Sequence, residues 1–168
     1  QITILFLLIV QSAIAQNSLF NQVEANNIGP TIMSGRVVDL AVNPKNPTEF
    51  YVAYATGGLW YTNNNGTSFT PLMDSAETVN CGSVTVDWNS GTIWVGTGEV
   101  NASRSSYAGV GVLKSSDKGK TWENLGLKDS HHISRIWVNP SNLNEIVVAA
   151  VGHLYTTNKE RGIYKSTD

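Results

Sequence analysis

The stretch from Ser115 to Trp122 brings several side chains that can do chemistry into one short segment. It reads Ser-Ser-Asp-Lys-Gly-Lys-Thr-Trp, so the carboxylate of Asp117 lies between two hydroxyl groups, and an indole follows them. A carboxylate beside a hydroxyl can act as a general acid or base, or can activate a nucleophile. The same residue types also build tight turns, because an Asp side chain accepts backbone N–H groups and glycine adopts positive φ.

A second copy of this motif changes the residue that acid–base chemistry would need. In its frame the positions of Ser115, Asp117, Gly119 and Trp122 are taken by Thr62, Asn64, Gly66 and Phe69. A neutral amide cannot replace a catalytic carboxylate, so the pair of copies favours a structural turn. We expect Gly119 to supply positive φ, Thr121 to enter the next strand and Trp122 to bury its ring beneath the turn. A third copy begins at Ser166 and includes Asp168.

The motifs lie within three longer segments that repeat the same order of short apolar strands. These segments cover residues 37–69, 83–122 and 133–168, and the motif recurs roughly every 50 residues. In each segment two strands are joined by an Asn-containing turn, and a glycine opens a third strand. A repeat of about 40–50 residues with several short strands is typical of β-propeller blades. We therefore predict an all-β fold with about three four-stranded blades, the third incomplete, from a larger multi-blade ring.

The composition limits the classes of partner. The chain has 168 residues, a net charge of -2 and only 14% charged residues, which argues against a nucleic-acid partner. The single cysteine, Cys81, cannot form an internal disulfide, and we expect it to be a small buried hydrophobe. We expect no cofactor and no metal. Asp129 and His131–His132 form a weak candidate metal set, but a polar turn explains them better because no ligand spacing supports it.

The N-terminal residues indicate export. Residues 2–10 form an apolar run that is too short to cross a bilayer, and Ala13-Ile14-Ala15 follows as a small-x-small cleavage pattern. We predict a signal peptide over residues 1–15, cleaved after Ala15, and an N-terminal leader over 16–34. A buried first strand is the alternative for the apolar run. The mature protein would carry no membrane span and would be secreted, periplasmic or on the cell surface.

The motif Ser115–Trp122 resembles the Asp-box, or bacterial neuraminidase repeat, whose pattern is Ser/Thr-x-Asp-x-Gly-x-Thr-Trp. The units around it, about residues 35–168, resemble blades of the sortilin-type and xyloglucanase-type propeller superfamily. This superfamily includes sialidases, xyloglucan-cutting endoglucanases, sorting receptors and a photosystem assembly factor, so the motif is specific for fold and weak for function. The resemblance implies blades at about 35–75, 80–127 and 131–168. Since three blades cannot close a ring, we expect the N-terminal fragment of a larger protein.

The resemblance also implies where a ligand would bind. In such propellers the turn between the second and third strands of a blade lies on the face opposite the Asp-box turn, and that face carries the ligand site. Two of these connections are long here, residues 99–110 and 152–161. They would bring together the candidate ligand-binding residues Glu99, Arg104, Tyr107, His153 and Tyr155. Mixed aromatic and charged side chains suit a sugar or a peptide. Solvated loops, or loops packed on neighbouring blades, are the alternative.

The residues favour a binding module over an enzyme. The xyloglucan-cutting relatives carry Asp-Val-Gly-Gly at the end of the second strand, and the matching residues here are Ala55 to Gly58, so the catalytic Asp has become Ala55. A sialidase needs an arginine cluster, for which Arg36, Arg104 and Arg135 are better explained as structural. We expect a non-catalytic scaffold for an extracellular protein segment or a glycan. The alternative is a glycoside hydrolase whose acids lie mainly in other blades.

Overall fold

Residues 35–101 and 106–167 are described by a computed structural model of the chain, and they belong to one compact unit. Their secondary structure is three antiparallel sheets and a single turn of 3₁₀ helix at Lys128–Ser130. The expected all-β class is confirmed for this part of the chain. None of the helices among the described residues is long and apolar enough to cross a membrane.

The first two sheets are four-stranded meanders in which each strand pairs with the next. The first sheet contains β1 (Val37–Val42), β2 (Phe50–Tyr54), β3 (Gly58–Thr62) and β4 (Thr70–Pro71). The second contains β5 (Cys81–Asp87), β6 (Thr92–Thr97), β7 (Val112–Ser115) and β8 (Glu123–Asn124). The third sheet has three described strands, which are β9 (Ile133–Asn139), β10 (Asn142–Ala150) and β11 (Gly162–Ser166).

The strand register places the repeated motif at the same point in every sheet. Phe50 pairs with Thr62, Ile93 pairs with Ser115, and Ile146 pairs with Ser166. The first residue of each motif copy therefore ends a third strand, opposite an apolar residue of the second strand. Because side chains alternate between the two faces of a strand, this common register sets which face each motif residue takes.

The core consists of two apolar layers, one on each side of the second sheet. Ile93 and Val95 of β6 pack with the first sheet, in a cluster that includes Leu59, Met73 and Cys81. The intervening Trp94 packs toward the third sheet, in a cluster that includes Ile133 and Val148. Every residue of β6 is buried, because this strand has a neighbouring sheet on both faces. Each fully buried aliphatic side chain contributes about 1.5–3 kcal/mol.

Cys81 lies in the layer between the first two sheets. Its side chain is fully buried, and its Sγ atom is 3.6 Å from Sδ of Met73. Burial raises the pKa of the Cys81 thiol to about 12, so the thiolate does not form near neutral pH. This residue therefore fills space in the core as an apolar side chain.

Close approach of two connections requires glycine at Gly98. This residue has a φ of +85°, its amide donates to the carbonyl of Asn80, and an added Cβ would collide with the carbonyl oxygen of His131. Gly126 provides a matched comparison, since its φ is +108° and nothing lies within 4 Å of an added Cβ. The two positions share the left-handed backbone but differ in the space around it.

We expect Gly98→Ala to destabilise the fold more than Gly126→Ala. Positive φ costs an alanine about 1–2 kcal/mol at both positions. Only Gly98→Ala adds overpacking, which costs about 1–3 kcal/mol more. Urea unfolding of the two variants measures the difference. Equal free energies of unfolding would show that the contact with His131 relaxes without cost.

Candidate functional site

The carboxylate of Asp117 is used by its own turn. Its Oδ1 atom accepts from the amides of Lys120 (3.0 Å) and Thr121 (2.9 Å) and from the Ser115 hydroxyl (2.8 Å). Its Oδ2 atom accepts from the Thr121 hydroxyl at 2.6 Å. The Ser115 hydroxyl also accepts from the amide of Gly119 at 2.7 Å, and Gly119 has a φ of +88°. These hydrogen bonds fix the β7–β8 turn, so the carboxylate and both hydroxyls take part in its structure.

The copy at Thr62 builds the same turn with one polarity reversed. Oδ1 of Asn64 accepts from the Thr62 hydroxyl (2.9 Å) and from the amide of Ser68 (3.0 Å). Its Nδ2 donates to the Ser68 hydroxyl at 2.9 Å, whereas the corresponding hydroxyl of the second copy is the donor. Gly66 has a φ of +79° and donates its amide to Thr62 Oγ1 at 3.0 Å. An amide serves as well as a carboxylate because the hydroxyl rotates to suit its partner.

The second turn also attaches its sheet to the first. The indole Nε1 of Trp122 donates to the carbonyl of Leu72 at 2.8 Å, across the boundary between the two sheets. An added Cβ at Gly119 would press on the Leu72 side chain. Phe69 instead packs within the first sheet, edge-on to Phe50 with ring centroids 6.1 Å apart. Ser166 ends β11, and Asp168 lies outside the described residues.

The connections opposite these turns meet at one end of the sheets, which we call the loop face. They join β2 to β3, β6 to β7 and β10 to β11, and hydrogen bonds tie them to the connections between successive sheets, β4–β5 and β8–β9. The amide of Gly109 donates to the carbonyl of His131 (2.7 Å), and the amide of Val151 donates to that of His132 (2.8 Å). The Asn80 side chain donates to the carbonyl of Ala108 at 3.1 Å.

Glu99 is buried rather than displayed on the loop face. The side chain of this candidate ligand-binding residue is fully buried and forms an ion pair with Arg36, which is about half-exposed, as in the alternative of loops packed on neighbouring blades. Its amide donates to the carbonyl of Tyr107 at 3.1 Å. A buried carboxylate is stable when a neighbouring cation compensates its charge. Glu99 therefore ties the β6–β7 connection to the residue that precedes β1.

The first cavity of the loop face has a volume of about 220 Å³ and surrounds this ion pair. Its lining consists of Gly35, Arg36, Ala55, Thr56, Glu99 and Tyr107. Ala55 is 1% exposed, so the position that carries an acid in the xyloglucan-cutting proteins presents a buried methyl group here. The Tyr107 side chain is 56% exposed and stands at the cavity's edge. Arg104 lies outside the described residues.

The second cavity of the loop face contains the three histidines of the chain and has a volume of about 280 Å³. The rings of His131 and His153 stack with centroids 3.7 Å apart, and His132 meets His131 edge-on. Nε2 of His153 donates to the carbonyl of Asp129 at 3.0 Å, which fixes the ring. Tyr155 lines the same cavity and is 73% exposed. Two adjacent residues link the cavities, because Tyr107 lines the first and Ser106 lines the second.

The surroundings of His132 favour the neutral form of its imidazole. His132 is 4% exposed, and burial lowers the pKa of its imidazole, with further lowering from the nearby His131 and His153. Among the described residues, no group of three or more His, Cys, Asp and Glu side chains is arranged to hold a metal ion.

Of the three arginines considered for a sialidase cluster, the two that the structure describes, Arg36 and Arg135, bind different carboxylates. Arg36 binds Glu99, while Nη1 of Arg135 lies 3.4 Å from Oδ2 of Asp39 on the inner strand of the first sheet. Asp39 also accepts the amide of Val84 at 3.1 Å, which joins the first two sheets. Both arginines thus neutralise separate structural carboxylates. Sequence reasoning considered Arg36 and the His131–His132 pair but did not assign them to the loop face. Their partners, Glu99 and His153, are distant along the chain, so no local pattern indicates these contacts.

Comparison with solved structures shows the fold of these sheets. An ancestral GH74 enzyme matches with a TM-score of 0.58 and 23% identity, over 76% of this chain and 15% of its own. A GH74 enzyme from Niastella koreensis matches with a TM-score of 0.50 and 23% identity, over 66% and 16%. YCF48 from Cyanidioschyzon merolae matches with a TM-score of 0.51 and 17% identity, over 82% and 36%.

These likenesses confirm that the sheets are blades of a partial β-propeller. The chain spans only 15–36% of the length of the three structures that it matches. No protein family and no curated protein matches the chain by sequence.

We expect Asp117→Asn to remove part of the acid sensitivity of the fold. Hydrogen bonds, first those from Thr121, lower the pKa of Asp117 to about 2 from its usual value near 3.9. Because the folded pKa is the lower one, the carboxylate stabilises the fold above about pH 4, and this contribution is lost as the pH falls toward 2. As the pH is lowered from 6 to 2, the melting temperature should fall less steeply in the variant than in the unmodified protein. Asp74→Asn, a carboxylate outside the turn, is the control, and equal slopes for both variants would contradict the assignment.

We expect Arg36→Gln to destabilise the fold by about 1–3 kcal/mol, because it removes the half-exposed cation that lies beside the buried Glu99 carboxylate. Adding Glu99→Gln should restore much of this loss, since the double variant buries no charge. Urea unfolding of the two single variants and the double variant gives the coupling between the side chains. Additive effects would mean that the ion pair does not stabilise the loop face.

Proposed function

We propose that this chain is part of a non-catalytic binding propeller whose ligand contacts the loop face. The observation that carries the proposal is that two tyrosine side chains are exposed beside the loop-face cavities. At the first cavity the Glu99 carboxylate is buried against Arg36, whereas Tyr107 and Tyr155 are 56% and 73% exposed beside the two cavities. Exposed tyrosines provide large contact area at low conformational entropy cost, as binding surfaces require.

The chemistry of glycoside cleavage finds little support in the described residues. A glycosidase needs two carboxyl groups that flank the scissile bond, about 5–9.5 Å apart. The loop-face cavities present Ala55 at one expected position and a charge-neutralised Glu99 at another. Two other carboxylates of the described residues have cationic neighbours, since Asp39 lies 3.4 Å from Nη1 of Arg135 and Glu77 lies 3.4 Å from Nζ of Lys128.

The second candidate is a glycoside hydrolase of the Asp-box class whose catalytic acids lie mainly in other blades. The observation that favours it is the fold shared with the two GH74 enzymes. Both candidates use the same blades, and they differ in whether the loop face holds a ligand intact or cuts it.

The partner that suits the loop face is an extracellular protein segment or a glycan. Its cavities combine aromatic rings with histidine, arginine and hydroxyl groups, which can orient a polar ligand. The signal peptide predicted at residues 1–15 supports an address outside the cytoplasm, as a secreted, periplasmic or cell-surface protein. Those residues lie outside the described part of the chain.

Tyr107→Ala and Tyr155→Ala should each weaken binding at least about tenfold, as expected when an exposed aromatic anchor is removed. The secreted protein would be passed over xyloglucan, other β-glucans, sialylated glycans and a peptide array, and both retention and released sugar would be measured. Trp137→Ala is the matched control, because Trp137 is a 50% exposed aromatic residue on β9.

Retention of intact ligand that depends on the two tyrosines, with the control unchanged, supports the binding propeller. Release of sugar by the secreted protein would overturn it in favour of the hydrolase. Retention that neither tyrosine variant alters would place the binding surface elsewhere on the molecule.

A further inference from the structure

A separate cavity of about 220 Å³ lies at the end of the sheets opposite the loop face. It is enclosed by the connections β1–β2, β5–β6 and β7–β8, so the first and second sheets both contribute to it. We call it the turn-side cavity. Since its walls come from strand ends and braced turns, its shape is largely preformed, which lowers the cost of binding.

Three aromatic rings form one wall of the turn-side cavity. Tyr51 is central, with its ring centroid 4.9 Å from that of Tyr61 and 5.3 Å from that of Trp88. The ring planes are tilted by 43° and 44°, respectively. Tyr51 is 4% exposed, while Tyr61 and Trp88 are half-buried and present part of their surface to the cavity. Aromatic rings of this kind bind the apolar C–H face of a ligand.

Glu49 provides a fixed acceptor beside this wall. Its Oε1 atom accepts from the Tyr61 hydroxyl at 2.6 Å, and its Oε2 atom accepts from Nδ2 of Asn43 at 2.7 Å. The hydrogen bond from Tyr61, followed by that from Asn43, lowers the pKa of Glu49, so the carboxylate is ionised near neutral pH. Each carboxylate oxygen keeps a further acceptor site for a ligand hydroxyl.

Donors stand on the other side of the turn-side cavity. Lys118 lies in the β7–β8 turn with a φ of +63°, and its side chain extends over Gly91. Glu49 and Lys118 both line the turn-side cavity, and the Lys118 ammonium also lowers the pKa of Glu49. The exposed amide of Asn89 adds both a donor and an acceptor at the rim, and Nζ of Lys45 orients it at 3.0 Å.

We propose that the turn-side cavity binds one pyranose ring of a neutral glycan. A sugar ring offers an apolar face to the aromatic wall, and its hydroxyls can donate to Glu49 and accept from Lys118. The volume lies below the range of about 300–1,000 Å³ that holds drug-sized ligands, which suits a single ring. The paired charges disfavour both an organic cation, which Lys118 repels, and an anion, which Glu49 repels. This site is independent of the ligand proposed for the loop face.

The test is a titration of the protein with three probes, methyl β-glucopyranoside, methyl β-galactopyranoside and methyl α-mannopyranoside, followed by amide NMR. At least one probe should shift the amides of Ser90, Gly91 and Lys118 with a Kd in about the millimolar range. Glu49→Gln and Trp88→Ala should each raise that Kd at least about tenfold. Tyr61→Phe, which keeps the ring and removes only the hydroxyl that orients Glu49, should raise it less.

Trp137→Ala is the matched control, because it removes a 50% exposed aromatic side chain from β9 that lines neither the turn-side cavity nor the loop-face cavities, and it should leave the titration unchanged. Tetramethylammonium is the counter-probe. Its binding at these amides in place of the sugars would overturn the proposal in favour of a cation site. Amide shifts confined to the loop face, or none with any of the three sugars, would also overturn it, while leaving the function proposed for the loop face intact. A dispersed amide spectrum for each variant shows that it is folded.

Discussion

The second sheet has to bury both of its faces, and most of the architecture follows from this constraint. Strand β6 is buried along its whole length, with Ile93 and Val95 on one side and Trp94 on the other. An antiparallel sheet with two apolar faces cannot stand alone in water, so sheets of this kind stack in series. The glycines at the end of β6 allow the neighbouring connections to approach, and Gly98 lies against the backbone of His131.

The braced turns serve the same stacking. In each of two sheets a side-chain oxygen takes up the amides of a tight turn, and the register places that turn at the same end of the third strand. The second turn then bonds to the first sheet through Trp122 and the carbonyl of Leu72. A residue pattern that resembles a catalytic constellation thus fixes the geometry between blades. The interchange of Asn64 and Asp117 is tolerated because hydrogen bonding, and not proton transfer, is what the turn requires.

The stacking leaves two ends of the sheets with different freedom. At one end the turns are short and braced, and their side chains form the small turn-side cavity around Tyr51 and Glu49. At the other end the connections vary in length, and the ion pair of Arg36 with Glu99 anchors them beneath exposed tyrosines. Loops carried by a rigid scaffold can change without disturbing the sheets, so the loop face is the natural place for recognition. The turn-side cavity instead inherits its shape from the scaffold itself.

The sequence by itself determined the repeats, the strand order and the role of the Asp117 turn, because these depend on local residue types and on a period that the chain displays three times. It also identified Cys81 as a core residue. Only the tertiary structure decided the state of Glu99, for which the sequence left open ligand binding, a solvated loop and packing on a neighbouring blade. Its burial depends on Arg36, a residue of another blade, and no local pattern reveals such a partner. The turn-side cavity is hidden for the same reason, since Glu49, Trp88 and Lys118 come from three separate connections that meet only when the blades stack.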